Sequence, residues 1–347
     1  MIYFSRQKEA AARNLTAAAD IPKNATRESG APSAVRLISQ SDDIMTNTTN
    51  GAIRIRVFAK INLFLRIVGK RPDHFHEIDT LMHPIGLWDE LEVQALPEVH
   101  APASGLSLEC EGVDLADPEK NTVGQMYFLM KKRFPNEVPA CRICLRKTIP
   151  MQAGMGGGSA DAAGALLALE RLAELNLRAE ERNEIASAIG SDVAFFLGNA
   201  PAIAKGRGER IEMVQGHLQS PVVLVTSRNG VSTAEAYSRF SPDPAEDGLS
   251  SEKMAEAVRA GDERLVADRL HNSFERLIYP LRPDLRRIRG ELLGAGARGA
   301  MMTGSGATVF ALGMDGSGME RAREVLNQMD REMVCTSLQP HTYEWVQ

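Results

Sequence analysis

The chain lacks any uninterrupted apolar run near the roughly 18 residues that cross a bilayer, which excludes an ordinary membrane-spanning helix. Cysteine is scarce: Cys110, Cys141, Cys144 and Cys335 are the four in 347 residues. That is too few for a disulfide framework and suits a reducing cytoplasm. Cys141-x-x-Cys144 suggests a metal pair, but on a strand its two side chains point to opposite faces and cannot chelate together. Neither sign of charge dominates. Forty basic and 45 acidic residues leave a net −5, so no basic stripe awaits nucleic acid and no polybasic patch a membrane surface. Any positive charge at a binding site must therefore be local. What the chain does have is 44% hydrophobic residues, enough at this length for a substantial core and two domains.

Residues 1–50 are rich in Ala, Ser, Thr and Asn, show no sustained period, and read as a disordered extension. Their Arg and Ser content also fits an organelle transit peptide, although Glu9, Asp20, Glu28, Asp42 and Asp43 are more acid than such peptides carry. Met45 offers a third reading, an over-extended start. From Ile53 the pattern is strand-rich: Ile53, Ile55 and Val57, then Leu63 and Leu65, Leu91 and Val93, Leu106 and Leu108. The stripe Val123, Met126, Tyr127, Met130 and Phe134 predicts a helix from about Asn121, and another runs from Ala179 to Ile189, stopped by Gly190. Past Gly216 the strand Val222–Val225 opens a second unit, with 241–251 as a polar surface loop. Helices are expected at about 252–260, 263–277, 282–294 and 318–330. Strands at 300–303 and 308–312 flank the turn Gly304-Ser305-Gly306, and a last strand follows. The fold class is α+β, with domains at 51–215 and 216–347.

The most informative segment is Pro150-Met151-Gln152-Ala153-Gly154-Met155-Gly156-Gly157-Gly158-Ser159-Ala160-Asp161. It lies between an alternating strand (Cys141, Ile143, Leu145) and an apolar-periodic helix (Ala163, Leu166, Leu167, Leu169, Leu172), with Ser159 placed as N-cap. Glycine lets main-chain N–H groups approach an anion, and the helix dipole favours negative charge there, so this is a phosphate site. It is not a Walker loop, because Gly158 is followed by Ser159-Ala160 rather than Lys-Ser or Lys-Thr. Nor is it a dinucleotide fingerprint, since Ser159 stands where glycine is needed. Gly294-Ala-Gly296-Ala-Arg-Gly299 spells that fingerprint literally, yet it leaves a helix and enters a strand, the reverse of the required context.

The loop resembles that of the galactokinase, homoserine kinase, mevalonate kinase and phosphomevalonate kinase superfamily. Further segments are similar to its branch acting on a cytidylyl sugar-alcohol diphosphate in the non-mevalonate isoprenoid route. These are Ala59–Leu65, Gly69–Ile78, Gly190–Phe196, Ala204–Glu209 and Thr303–Phe310, in that order, and the likeness runs from about Ile53 to the end. One departure is Asp73-His74-Phe75-His76, where the branch commonly has Asp-Gly-Tyr-His.

The resemblance implies a ribosomal-protein-S5-like amino-terminal domain and a ferredoxin-like carboxy-terminal one, with the site between them. It implies ATP as phosphoryl donor, magnesium arriving with ATP, and a small-molecule acceptor phosphorylated at a 2-hydroxyl. Lys60 matches the catalytic lysine and Asp192 the aspartate that meets the acceptor hydroxyl. Met151 to Asp161 would hold the nucleotide phosphates, and Asn121 the adenine. Asn62, two residues from Lys60 on a strand, faces the same ligand. Phe75 and His76 supply an aromatic face and a polar edge for cytosine, and Thr233 borders the acceptor. His74 and His76 have no neighbouring acidic or cysteine cluster to complete a metal site, so no protein ligand set is expected. A monomer or homodimer is expected, without nucleic acid or membrane. Two other readings remain open: a homoserine or mevalonate type of kinase, and a non-catalytic nucleotide-binding homologue.

Overall fold

The computed structural model describes residues 51–346 apart from 73–74, 112–116, 217, 219, 228–236, 238–239, 242, 244–245 and 330. The readings made for residues 1–50, His74 and Thr233 lie outside the described residues. Two long strands dominate, β1 (Ile53–Lys70) and β2 (His76–Ala95), paired antiparallel as one hairpin. They form one sheet with β3 (Leu106–Glu111), β4 (Cys141–Arg146), β5 (Ala202–Gly206) and β6 (Arg210–Met213), together with β8 (His271–Asn272) and β12 (Tyr343–Val346). The path runs β12-β1-β2-β4-β3. β5 joins β2 and carries β6, while β8 pairs with β1. Helices α1 (Thr122–Arg133), α2 (Gly157–Leu172), α3 (Ala179–Ile189) and α4 (Val193–Leu197) cover it.

A second sheet has the order β11-β7-β10-β9, built from β7 (Pro221–Thr226), β9 (Gly299–Met302), β10 (Thr308–Leu312) and β11 (Met333–Ser337), all antiparallel. Helices α8 (Pro283–Gly294) and α9 (Gly316–Gln328) pack on it through Leu285, Ile288, Leu292, Ala322 and Leu326. Its other side shares a core with Met254, Ala255 and Val258 of α5 (Ser251–Arg259). The α+β class is thus observed. β8 and β12, both late in the sequence, pair with β1, and Asn272 of β8 also donates to the Met302 carbonyl of β9 at 2.6 Å.

The alternation in β1 explains what faces the site. Ile53, Ile55 and Val57 belong to the core beneath α2, whereas Ala59, Ile61 and Leu63 belong to the core shared with the second sheet. A register break between Phe58 and Ala59 marks the changeover, as an irregular step in a ladder bends the strand and re-aims its side chains. Lys60 and Asn62 are left to face the cavity.

Two expectations are corrected. The helix anticipated at 263–277 is interrupted: α6 (Glu263–Asp268) ends, β8 pairs with β1, and α7 (Glu275–Ile278) is one short turn. Pairing with β1 outweighs local helix propensity there. Ser159 is not an N-cap, because α2 begins at Gly157 behind Gly156, whose left-handed backbone (φ 73°) ends the loop. Gly294 to Gly299 leads from the end of α8 into β9, a helix terminus and turn as read from the sequence.

Candidate active site

The glycine loop has left-handed backbone at alternate residues, Gln152 (φ 52°), Gly154 (φ 76°) and Gly156 (φ 73°). Such backbone gathers N–H groups into an anion-binding concavity, here running into the N-terminus of α2. Two contacts show why glycine is needed. A Cβ on Gly154 would lie 2.2 Å from the Thr303 carbonyl, and one on Gly156 would lie 2.9 Å from the Phe196 ring. Thr122 at the start of α1 donates through Oγ1 to the Gly158 carbonyl at 2.7 Å, tying two helix N-termini together. Asn121 caps α1, its Oδ1 accepting from the Val123 N–H at 2.8 Å, and still borders the cavity.

Beside the loop, the Lys60 ammonium donates to Asn62 Oδ1 at 2.8 Å and to the Gly154 carbonyl at 3.0 Å, and stands 3.7 Å from Asp192 Oδ2. Lys60 is 4% exposed. Burial pulls its pKa below the usual lysine value, and the Asp192 carboxylate only partly opposes this. Asn62 is fixed in turn, its amide donating to Thr80 Oγ1 at 2.9 Å while Thr80 donates to the Phe64 carbonyl at 2.6 Å. Thr303, from the β9–β10 turn, accepts from the Asn62 N–H at 3.0 Å. The same hydroxyl lies 3.3 Å from both Asn62 Oδ1 and the Gly154 carbonyl.

Below the loop lies a buried ionic group that the sequence reading passed over. Lys147 donates to Asp89 Oδ2 at 2.5 Å and to Asp161 Oδ2 at 2.7 Å. Asp89 also accepts from the Thr148 and Ile149 N–H groups, fixing the chain that leads into the loop. Burial pushes the Asp161 carboxyl well above its ordinary range, with Lys147 opposing and Asp89 reinforcing. Burial also works against the Lys147 charge, but the two carboxylates together outweigh it and raise its pKa. Asp161, expected among the phosphate-holding residues, is thus engaged by Lys147 at the cavity floor.

A cavity of about 1020 Å³ gathers these groups. Lys60, Asn62, Asn121, Met151 to Gly154, Gly156 to Ser159, Asp161 and Asp192 line it, as do Phe75 and His76. Met155 is buried behind the loop, and its carbonyl accepts from the Lys60 N–H; Ala160 is buried in α2. His76 stacks on Tyr237 with ring centroids 4.8 Å apart, and Phe240 and Phe274 complete the aromatic wall. Burial, with Lys70 nearby, lowers the His76 pKa, so the ring is neutral at pH 7 and offers one donor and one acceptor. Tyr237 and Phe240 were missed because no short spacing connects them to His76. Among the described residues, no group of three or more His, Cys, Asp or Glu is placed to hold a metal ion, and no helix is long and apolar enough to cross a membrane.

Comparison with known proteins fits this geometry. Residues 121–200 match the GHMP kinases N terminal domain and residues 254–334 the GHMP kinases C terminal. The fold is that of a GHMP kinase. A 4-diphosphocytidyl-2-C-methyl-D-erythritol kinase of Pelotomaculum thermopropionicum is 40% identical over 77% of this chain and 90% of its own. One of Bacillus cereus is 35% identical over the same shares. A crystal structure of 4-(cytidine 5'-diphospho)-2C-methyl-D-erythritol kinase superposes with a TM-score of 0.67 at 31% identity, covering 82% of this chain and 98% of that one. The homoserine kinase of Cytophaga hutchinsonii shares the fold, with a TM-score of 0.69 at 14% identity over 88% of this chain and all of its own. The chain belongs to the 4-diphosphocytidyl-2-C-methyl-D-erythritol kinase family.

Proposed function

We propose that the protein transfers the γ-phosphoryl group of ATP to the 2-hydroxyl of 4-diphosphocytidyl-2-C-methyl-D-erythritol, giving the 2-phosphate and ADP. The observation that carries this is the meeting of Lys60, Asp192 and the Gly154 carbonyl in a cavity that also has an aromatic wall. Phosphoryl transfer asks chiefly for positioning and charge stabilisation, since its transition state is loose. Main-chain amides from Gly154 to Ser159 hold the nucleotide phosphates, with Asn121 beside the adenine. Asp192 accepts a hydrogen bond from the acceptor hydroxyl and orients it toward the phosphoryl group. The Lys60 ammonium stabilises charge on the transferred group and on the emerging alkoxide. Asn62 holds that ammonium in place, and Phe75, His76 and Tyr237 receive the cytosine.

Magnesium requires hard oxygen ligands, and the nucleotide phosphates and water supply most of them. The Ser159 hydroxyl and the Asp192 carboxylate are the cavity oxygens suited to border the ion, because Lys147 already neutralises Asp161. A magnesium ion bound there would supply screening of the phosphate charge.

Assay of the purified protein with ATP, magnesium and a panel of acceptors tests the reading by coupled detection of ADP. Turnover confined to the cytidylyl acceptor supports it. Turnover of homoserine or mevalonate instead, or nucleotide binding without acceptor-dependent ADP release, overturns it.

A further inference from the structure

Four cationic side chains line the cavity: Lys60, Lys70, Lys147 and Arg207. Two are already compensated, Lys60 by Asp192 and Lys147 by Asp89 and Asp161. Two further arginines near this rim, Arg71 and Arg210, are held by Glu77. Arg207 differs from all of these. It sits in the β5–β6 turn between Gly206 (φ 78°) and Gly208 (φ 115°), and no carboxylate among the described residues pairs with its guanidinium. Its guanidinium carbon lies 4.8 Å from the centroid of the Phe75 ring. The adjoining Gly208 packs against Ser191, a Cβ there falling 3.4 Å from the serine's own Cβ, and Ser191 precedes Asp192. Arg207 therefore has its guanidinium at the aromatic residues, on a turn that packs beside Ser191 and Asp192.

An acceptor with its base against the aromatic residues and its hydroxyl at Asp192 must carry its diphosphate between the two, within reach of this turn. A planar guanidinium with several donors matches such a group, and uncompensated anionic charge there would be costly. We infer that Arg207 is the acceptor's diphosphate-recognition residue, making the site selective for a nucleoside diphosphate over the bare nucleoside. The inference rests on the proposed function. Lys70, opposite His76 in the β1–β2 register, also lines the cavity, and its charge acts on His76.

The test compares binding of cytidine 5'-diphosphate and cytidine to the intact protein, its Arg207→Ala variant and Arg207→Lys, alongside acceptor KM. A charge-assisted contact of this kind corresponds to about tenfold or more in affinity. The diphosphate is expected to bind the unaltered protein about tenfold or more tightly than the nucleoside, and Arg207→Ala to lose most of that preference. Arg207→Lys should keep part of it, and the loss should fall on acceptor KM with ATP KM within about twofold. Added salt should weaken diphosphate binding more in the unaltered protein than in Arg207→Ala. An unchanged preference in Arg207→Ala would mean that the guanidinium merely covers Phe75, and would overturn the inference while leaving the function intact. Failure of the unaltered protein to phosphorylate the cytidylyl acceptor would overturn the function and this inference with it.

Discussion

Lys60 and Asp192 form an ion pair at 3.7 Å beside the glycine loop, with the lysine buried and the aspartate about one third exposed. The cation is fixed by protein contacts on one side, and the carboxylate opens to the cavity on the other. Removing either should therefore damage chemistry more than nucleotide binding. Lys60→Ala and Asp192→Asn are expected to lower kcat by orders of magnitude while leaving ATP affinity within a few-fold. Near-normal turnover by either variant, measured by coupled ADP release, would remove that residue from its role.

The same pair sets an alkaline limit. Lys60 acts as ammonium, and its pKa is drawn down from 10.5 by burial. As pH rises through that lowered value the proton is lost and kcat falls, so the alkaline limb should lie below the ordinary lysine range. Asp192 partly holds the value up, and the residual turnover of Asp192→Asn should fall off at still lower pH. A limb at or above the ordinary lysine value would contradict the assignment.

The glycines of the loop should respond unequally. Gly154→Ala forces a left-handed alanine, costing about 1–2 kcal/mol, and places its methyl 2.2 Å from the Thr303 carbonyl. ATP affinity and melting temperature should both drop. Gly158→Ala meets nothing closer than Thr122 Oγ1 at 3.5 Å, within helical backbone, and should leave the melting temperature nearly unchanged. Equal tolerance of the two variants would show that the loop is not shaped by these contacts.

Thr303 is the single hydroxyl shared by Asn62 and the Gly154 carbonyl. Thr303→Val keeps the shape but leaves the buried Asn62 N–H unsatisfied, costing roughly 1–3 kcal/mol. Thr303→Ser should restore most of that stability and of kcat. Denaturation midpoints and turnover of the pair decide the matter, and Val behaving like Ser would refute it.

Lys147 is the ammonium shared by two buried carboxyl groups, so Lys147→Met should destabilise by about 3–5 kcal/mol in chemical denaturation. The sign with pH follows from burial. Burial already raises the Asp161 pKa, and without the ammonium that opposes it the folded value stands further above the unfolded one. Its contribution is complete at low pH and is lost as pH rises through the folded value. The variant should accordingly recover stability at mildly acid pH relative to pH 8, and a flat profile would argue against a shared buried charge.

The phosphate loop was legible in the sequence because its chemistry is local: glycine spacing, a strand before it and an apolar helix after it. Lys60 and Asn62 were legible as a pair because strand periodicity sets them on one face. The start of α2 was not, since a left-handed Gly156 rather than the Ser159 hydroxyl ends the loop. Nor was the break after α6, where pairing with β1 prevails over an unbroken helical pattern. Lys147, Tyr237 and Arg207 carry no spacing signal, because their partners come from distant strands and turns. The sequence by itself determined most of the elements, the α+β class and the glycine-rich loop ahead of α2, all of which depend on neighbours along the chain. Only the tertiary structure decided which charges are buried, paired or left open, because desolvation and pairing depend on what packs across the sheet.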